Sequence, residues 1–146
     1  AYFVVPEPQI ERFGHITQAL AGGNPQFTQT IVTAFIKEGH FARHIQRMRK
    51  LYAERREAAV AGLENMLGEH VQIDAQPGGM HLILRLHGQQ SDRRLVARMR
   101  EAGLYGEALT DWRMSNDHGS ALLLNFTNID SKDTAEKLGK RILQLM

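Results

Sequence analysis

Two histidines one helical turn apart are the first residues with the right types and spacing for chemistry. His40 and His44 stand at positions i and i+4, where two imidazoles on one helix face can share a metal ion. A zinc-protease motif would place glutamate directly after the first histidine, and Phe41 stands there instead. The sequence indicates no third ligand. We therefore expect no metal site, and we expect both histidines to pack or hydrogen-bond near the start of a helix.

The lysines are the candidates for covalent chemistry with a carbonyl group. An amine that forms an imine must lie in a pocket that lowers its pKa. All the lysines fall at predicted helix ends or on solvent-facing helical positions: Lys37, Lys50, Lys132, Lys137 and Lys140. We expect none of them to form an imine, and the sequence assigns no catalytic residue to this chain.

A basic segment spans residues 40–56, which carry six arginines and lysines and one acid. The chain of 146 residues has a net charge of only +2. The same segment places Phe41, Ile45, Met48 and Tyr52 on one helical face. Because such an apolar stripe buries one side of a helix in protein, direct DNA contact is disfavoured. A solvated basic face, or one that lines an anionic ligand site or a subunit boundary, is favoured.

Composition restricts the compartment and the class of protein. Cysteine is absent, so disulfides and thiolate metal sites are excluded. A chain without disulfides fits a reducing compartment. No apolar run approaches the roughly 18 residues of a membrane span, and the N-terminus lacks the pattern of a secretory signal. We therefore expect a soluble cytoplasmic protein with no membrane partner.

The elements that would position these residues begin with a β-branched and aromatic run, residues 2–5, which predicts a buried strand. Helices are predicted over about 8–20 and 25–38, and Gly39 is placed to break the second. Residues 40–67 carry apolar side chains every three or four positions, which predicts one amphipathic helix about 40 Å long. Since a buried strand needs a partner, we expect the chain to be the later part of a longer protein.

The remainder of the sequence, residues 68–146, alternates short apolar runs with turn residues and helical patterns. It predicts strands over 71–74 and 80–86 joined as a hairpin, a helix from Ser91 and Asp92 to Gly103, a short strand over 104–106, a polar loop over 107–119, a strand over 121–126 and a helix from Asp130 or Ser131 to Leu145. This order predicts an α+β lobe with helices on one face of a small sheet.

Residues 38–56, with the sequence EGHFARHIQRMRKLYAERR, resemble a signature of the MocR subfamily of GntR-type bacterial regulators. In that family a winged helix-turn-helix DNA-binding domain is fused to a domain with the fold of type I pyridoxal-phosphate aminotransferases. Three further stretches are similar in the expected order: AYFVVP at 1–6, GGMHL at 78–82 and LLLNFTN at 122–128. The resemblance covers essentially the whole chain.

The resemblance implies an α+β (α/β) fold in three parts. Residues 1–39 would be a remnant of the large cofactor domain, with a strand and two helices. Residues 40–67 would be a long interdomain helix, and residues 68–146 the C-terminal small domain. The DNA-binding domain, the cofactor lysine and the arginine that holds the cofactor phosphate would lie upstream of Ala1. Pyridoxal phosphate, a homodimer and an amino-acid-like effector are then expected of the full-length protein, and no cofactor is expected in this chain.

The resemblance also suggests three site residues. Many aminotransferases bind the substrate carboxylate with an arginine in the last strand, and Leu123 occupies that place here. Arg113 or Arg85 would then hold the carboxylate of an effector, although Arg85 fits an outward-facing strand residue better. Thr28 corresponds to a region that approaches the cofactor phosphate of the neighbouring subunit, or it is a plain first-turn residue.

These expectations leave three functions open. The first is the effector-sensing, dimerising aminotransferase-like domain of a transcriptional regulator, which the basic signature favours. The second is the same part of a genuine aminotransferase acting on amino acids, which the missing last-strand arginine weakens. The third is a free-standing basic interaction module, which the apolar first strand weakens.

Overall fold

The computed structural model describes residues 4–21, 25–74, 78–114 and 119–146. The chain divides into two compact units, Ala1–Arg47 and Met48–Met146. We call them the first unit and the second unit.

The first unit is helical. A 3-10 helix, Glu7–Gln9, leads into α1, Ile10–Ala21, and α2 follows at Gln26–Lys37. Both predicted helices are confirmed to within about two residues at each end. Their apolar side chains remain exposed, by 84% for Leu20 and 77% for Phe27.

The strand predicted over residues 2–5 is wrong where it can be judged. Val4 and Val5 belong to no strand, and the Val4 side chain is 89% exposed. Residues 1–3 lie outside the described residues. A strand forms only where a neighbouring strand accepts and donates its backbone hydrogen bonds, and the strands of the described ranges pair among themselves in the second unit.

Helix α3 spans His40–Leu67, the bounds that the sequence predicts. Gly39 precedes it with φ +76°, a conformation that glycine adopts without strain. The buried residues of α3 all lie in its last third, at Ala59, Gly62, Leu63 and Leu67. This part of the helix therefore contributes to the core of the second unit.

The second unit contains a four-stranded antiparallel sheet in the order β1-β2-β4-β3. Its strands are β1 at Val71–Asp74, β2 at His81–Leu86, β3 at Glu107–Ala108 and β4 at Ala121–Asn125. The hairpin predicted from the first two strands is confirmed. Leu82, Leu84 and Leu86 are buried, so the alternating residues Ile83 and Arg85 lie on the other face of the sheet. We call this second face the outer face.

Two further helices complete the second unit, α4 at Asp92–Glu101 and α5 at Lys132–Leu143. Both begin as predicted at a serine cap: Ser91 Oγ accepts from the Arg94 N–H at 3.4 Å and Ser131 Oγ from the Thr134 N–H at 3.2 Å. Their buried residues form one core with the sheet. The predicted α+β class, with helices packed on a small sheet, is confirmed.

Two glycines mark a close contact between α3 and α5. A Cβ atom at Gly62 would lie 2.6 Å from the carbonyl oxygen of Lys132, and one at Gly139 would lie 2.7 Å from the Cβ of Met66. Real Cβ atoms do not approach other atoms so closely, so a side chain at either position would push the helices apart.

The segment between α4 and β4 differs from its prediction. The short strand predicted over 104–106 is wrong, because β3 begins at Glu107. The Leu104 N–H donates instead to the carbonyl oxygen of Met99 at 2.7 Å, closing the end of α4. The predicted polar loop is also wrong at its start, where a 3-10 helix spans Leu109–Trp112. Residues 115–118 of that loop lie outside the described residues.

Candidate functional site

Leu123, which the resemblance places where many aminotransferases have an arginine, lies on the outer face of the sheet. In the sheet register Leu123 pairs with Ile83, and Ala121 pairs with Arg85. Leu123 and Ile83 are both half-buried. Leu123 and Arg85 therefore lie on the same surface, at neighbouring pairs of the two central strands.

Arg85 is bound within the sheet. Its Nη2 atom lies 3.2 Å from Oδ2 of Asp74 on β1. The side chains are 42% and 25% exposed, respectively. A ligand carboxylate at Arg85 would have to compete with Asp74, so the geometry agrees with an outward-facing strand residue in a cross-strand ion pair.

Arg113 follows the 3-10 helix and is half-buried. Its Nη1 atom donates to the carbonyl oxygen of Gly119 at 3.1 Å. Both candidate arginines thus adjoin the segment that begins β4, since Arg85 pairs with Ala121 in the register. The known partner of Arg113 is a neutral carbonyl, whereas that of Arg85 is a carboxylate.

Asp92 organises this region, and the sequence prediction missed it. Its side chain is 1% exposed. Oδ2 accepts hydrogen bonds from the Thr110 N–H at 3.0 Å, the Thr110 hydroxyl at 2.6 Å and the Ala121 N–H at 3.2 Å. Oδ1 accepts from the Arg93 N–H at 2.8 Å. One carboxylate therefore joins the start of α4, the 3-10 helix before Arg113 and the first residue of β4.

The electrostatics of Asp92 follow from these contacts. Burial opposes its ionisation, but the hydrogen bonds from Thr110, Ala121 and Arg93 outweigh burial and lower the pKa of Asp92 below its ordinary value. The sequence signal was the pair Ser91-Asp92 at a helix start, which indicates an ordinary exposed cap. Nothing local indicates that the carboxylate reaches residues 18 and 29 positions away.

Thr28 lies in the first turn of α2, as predicted, and is exposed. The N-cap of this helix, Pro25, makes no side-chain capping hydrogen bond. Thr28 belongs to the first unit, whereas Arg85 and Arg113 belong to the second. Its proposed contact with a phosphate stays a prediction.

His40 uses both ring nitrogens within the protein. Nε2 lies 3.2 Å from Oε2 of Glu38, Nδ1 lies 2.9 Å from Nη2 of Arg43, and the ring stacks on Phe35 with centroids 5.9 Å apart. A neutral imidazole with its hydrogen on Nε2 satisfies both contacts. The described residues contain no group of three or more side chains that could hold a metal ion.

The basic segment has two kinds of arginine. Arg43, Arg47 and Arg49 are exposed. Arg55 is half-buried and donates to the carbonyl oxygen of Thr127, 72 residues away. The segment is therefore partly a solvated basic face and partly a structural contact with the loop after β4.

All the lysines are exposed. Lys137 is hydrogen-bonded to Asp133 at 2.6 Å. This hydrogen bond and the opposite charge raise the pKa of Lys137 above its ordinary value, the direction opposite to the one an imine-forming amine requires. These residues do not fit the covalent anchor of an aldehyde cofactor, so we derive no chemical step through one.

Comparison with curated proteins identifies transcriptional regulators. The uncharacterized HTH-type transcriptional regulator YdeL of Bacillus subtilis is 24% identical over 140 residues, which are 96% of this chain and 30% of YdeL. The protein named "Probable rhizopine catabolism regulatory protein MocR" of Rhizobium meliloti is 28% identical over 135 residues, 92% of this chain and 27% of that protein. The chain thus spans about 30% of the length of these relatives. No protein-family model matches the chain.

Comparison with solved structures identifies the fold. The kynurenine aminotransferase of Pyrococcus horikoshii matches with a TM-score of 0.80 and 22% identity, over 95% of this chain and 34% of that one. The α-aminoadipate aminotransferase LysN of Thermus thermophilus, solved with N-(5'-phosphopyridoxyl)-L-leucine, matches with a TM-score of 0.80 and 20% identity, over 97% of this chain and 36% of that one. No helix in the described ranges is both long and apolar enough to cross a membrane.

Proposed function

Since the chain is homologous to MocR-type and other HTH-type transcriptional regulators and has the fold of the C-terminal part of aminotransferases, we propose that it forms part of the effector-binding and dimerisation domain of a bacterial regulator. The main support is that the sequence relatives and the structural neighbours point to the same kind of domain. Regulators match more than nine-tenths of the chain, and enzymes share its fold.

The chain then has the three parts that the resemblance implies. Residues 1–39 belong to the large cofactor domain, α3 is the interdomain helix, and residues 68–146 form the small domain. The boundary between the two compact units falls within α3, which supports a helix that belongs to both domains.

Exposed apolar side chains on α1 and α2 support a role in assembly. Ile10, Phe13 and Ile16 on α1 are at least 42% exposed, and Ile31 and Phe35 on α2 equally so. Large apolar side chains exposed in such number favour an interaction surface. In the full-length protein it is covered by the remainder of the large domain and by the second subunit of a homodimer, and DNA is bound by a winged helix-turn-helix outside this chain.

The small domain contributes to effector binding through its outer face. Because Leu123 replaces the last-strand arginine and cannot bind a carboxylate, the carboxylate of an amino-acid-like effector is held by Arg113. Its neutral partner, the Gly119 carbonyl, leaves the positive charge for a ligand, whereas Asp74 balances Arg85. Thr28, in the first turn of an α2 that lacks a side-chain cap, contacts the phosphate of pyridoxal phosphate bound in the neighbouring subunit.

The roles of the two arginines can be separated in the full-length protein. We expect Arg113→Gln to weaken binding of the amino-acid effector at least tenfold, since a bidentate charged hydrogen bond is lost. Arg85→Gln is the matched control and should change affinity less than threefold. A panel of amino acids screened by calorimetry supplies the measurement. The assignment is contradicted if the two variants behave alike.

The cofactor proposal makes a separate prediction for this chain alone. Incubated with pyridoxal phosphate and then borohydride, the chain should retain no stoichiometric adduct, because its lysines are exposed and the pKa of Lys137 is raised. Absorbance spectroscopy and mass spectrometry provide the measurement. A stable adduct on one specific lysine would contradict the view that the cofactor lysine belongs to another part of the protein.

The alternative is the same part of a genuine aminotransferase acting on amino acids, which the fold of the solved neighbours favours. The coding sequence upstream of Ala1 distinguishes the two. A winged helix-turn-helix followed by a cofactor domain supports the regulator. A cofactor domain without it, together with transamination of an amino acid and a 2-oxo acid by the full-length protein, supports the enzyme.

A further inference from the structure

The second unit has a cleft at the edge of its sheet. Strand β3 is two residues long and pairs only with Leu122 and Leu123. Within the described residues, β4 has no neighbouring strand on this side beyond Leu123. Tyr105 lies two residues before β3 begins. A cleft of about 520 Å³ occupies this position, within the size range of small-molecule sites.

The lining of the cleft has an apolar part beside the polar residues Asn125, Thr127, Asn128 and Thr134. Leu124 is 3% exposed and Ile129 is 4% exposed, and Leu138 of α5 is half-buried beside them. The ring of Tyr105, which is 88% exposed, stands at the rim. The apolar part of the lining, with an exposed aromatic ring at its edge, favours a flat group that has an apolar face.

The rim of the cleft is cationic. Arg141 and Lys137 line it from one face of α5, and no acidic residue is among its lining residues. The charge of Lys137 is balanced by Asp133 at 2.6 Å. Arg141 donates one N–H to the neutral carbonyl oxygen of Ala102 at 2.8 Å. In the part of the chain that the structure describes, Arg141 forms no ion pair with a carboxylate. Its guanidinium therefore supplies positive charge at this rim and has further N–H groups to donate.

We propose that this cleft binds an aromatic carboxylate. The carboxylate is held by the guanidinium of Arg141, and the ring lies against Leu124, Ile129 and Leu138 beside Tyr105. Neither Arg85 nor Arg113 lines the cleft, but Asn125, two residues after Leu123 on the outer face of β4, does. The site therefore adjoins the proposed effector face and uses a different arginine. It is formed entirely by the second unit and is independent of any cofactor.

The test uses this chain, isotope-labelled for NMR, and three probes: benzoate, benzyl alcohol and inorganic phosphate. Benzoate should shift the amide signals of residues 124–129 and 137–141 in a saturable way. Benzyl alcohol lacks the charge and phosphate lacks the ring, so each should bind at least tenfold more weakly. Phosphate binding as tight as benzoate binding would overturn the proposal in favour of a simple anion site.

Variants locate the binding group. Arg141→Gln should weaken benzoate binding at least tenfold, and Arg141→Lys, which keeps the charge but loses the planar fork, should weaken it less. Tyr105→Ala changes an exposed residue and should weaken binding severalfold. Arg49→Gln, at an exposed site on α3 outside the cleft, should leave it unchanged. Benzoate binding of wild-type strength by the folded Arg141→Gln variant would overturn the proposal.

Discussion

Replacing Asp92 with alanine is expected to lower the free energy of unfolding of the second unit by about 3 to 4 kcal/mol. The carboxylate accepts hydrogen bonds from the backbone N–H groups of Thr110 and Ala121 and from the Thr110 hydroxyl. Ala121 is fully buried, so its N–H would lose its acceptor without gaining water. Urea unfolding monitored by far-ultraviolet circular dichroism measures the effect, because the single tryptophan, Trp112, is already 69% exposed in the folded chain.

The control for Asp92 is Asp111, whose side chain is 59% exposed and pairs with Arg93 at 2.6 Å. Asp111→Ala should change the free energy of unfolding by less than about 1 kcal/mol, because exposed ion pairs contribute little. Equal losses in the two variants would contradict the role assigned to the buried carboxylate.

The lowered pKa of Asp92 also predicts how stability depends on pH. A group whose pKa is lower in the folded chain stabilises that chain above its unfolded pKa, and the stabilisation is lost as pH falls through the folded pKa. The wild-type chain should therefore lose stability as pH falls below about 4. Asp92→Asn should show a smaller loss over this range. Part of the loss should remain, because hydrogen bonds from Thr134 and Ser131 also lower the pKa of Asp130.

Replacing Gly62 with alanine is the second large effect, with an expected loss of about 2 to 3 kcal/mol. Helix propensity alone predicts the opposite sign, a gain of up to about 1 kcal/mol in the middle of a helix. The added Cβ would lie 2.6 Å from the carbonyl oxygen of Lys132, which belongs to backbone and cannot move away as a side chain can. Urea unfolding monitored by far-ultraviolet circular dichroism again provides the measurement.

Gly14 is the matched control for Gly62, since it also lies inside a helix but has no atom within 4 Å of an added Cβ. Gly14→Ala should not destabilise the chain and should raise the helicity of α1, which far-ultraviolet circular dichroism reports. If Gly62→Ala were as well tolerated as Gly14→Ala, the close contact between α3 and α5 would be disproved.

The sequence predicts those features whose causes are local. The bounds of α3 follow from its apolar repeat and from Gly39, and Ser91 and Ser131 begin their helices because a hydroxyl can cap the first turn. The hairpin follows from two alternating runs and a glycine-rich turn. In each case residues a few positions apart contain the whole signal.

The sequence failed where distant residues decide the structure. The run at residues 2–5 has strand composition, but Val4 and Val5 belong to no strand, and the strands in the described ranges pair with one another in the second unit. The sequence places Leu104 in a strand, whereas its N–H donates to the carbonyl oxygen of Met99 at the end of α4. Asp92 has the sequence context of an exposed cap, and only the folding of the 3-10 helix and β4 around it reveals its burial. At the candidate site, the sequence predicts that Arg85 lies in a strand with its side chain facing outward. Its ion pair with Asp74 could not be predicted, because that contact depends on the register between β1 and β2.

The glycine contact between α3 and α5 has a mechanical consequence. Side chains at an ordinary helix crossing can change rotamer and absorb a small displacement. At Gly62 and Gly139 the opposing groups meet through backbone and Cβ atoms, which have no rotamers to change. A rotation of the end of α3 is therefore expected to move α5 with it, so that the two helices shift together as a pair.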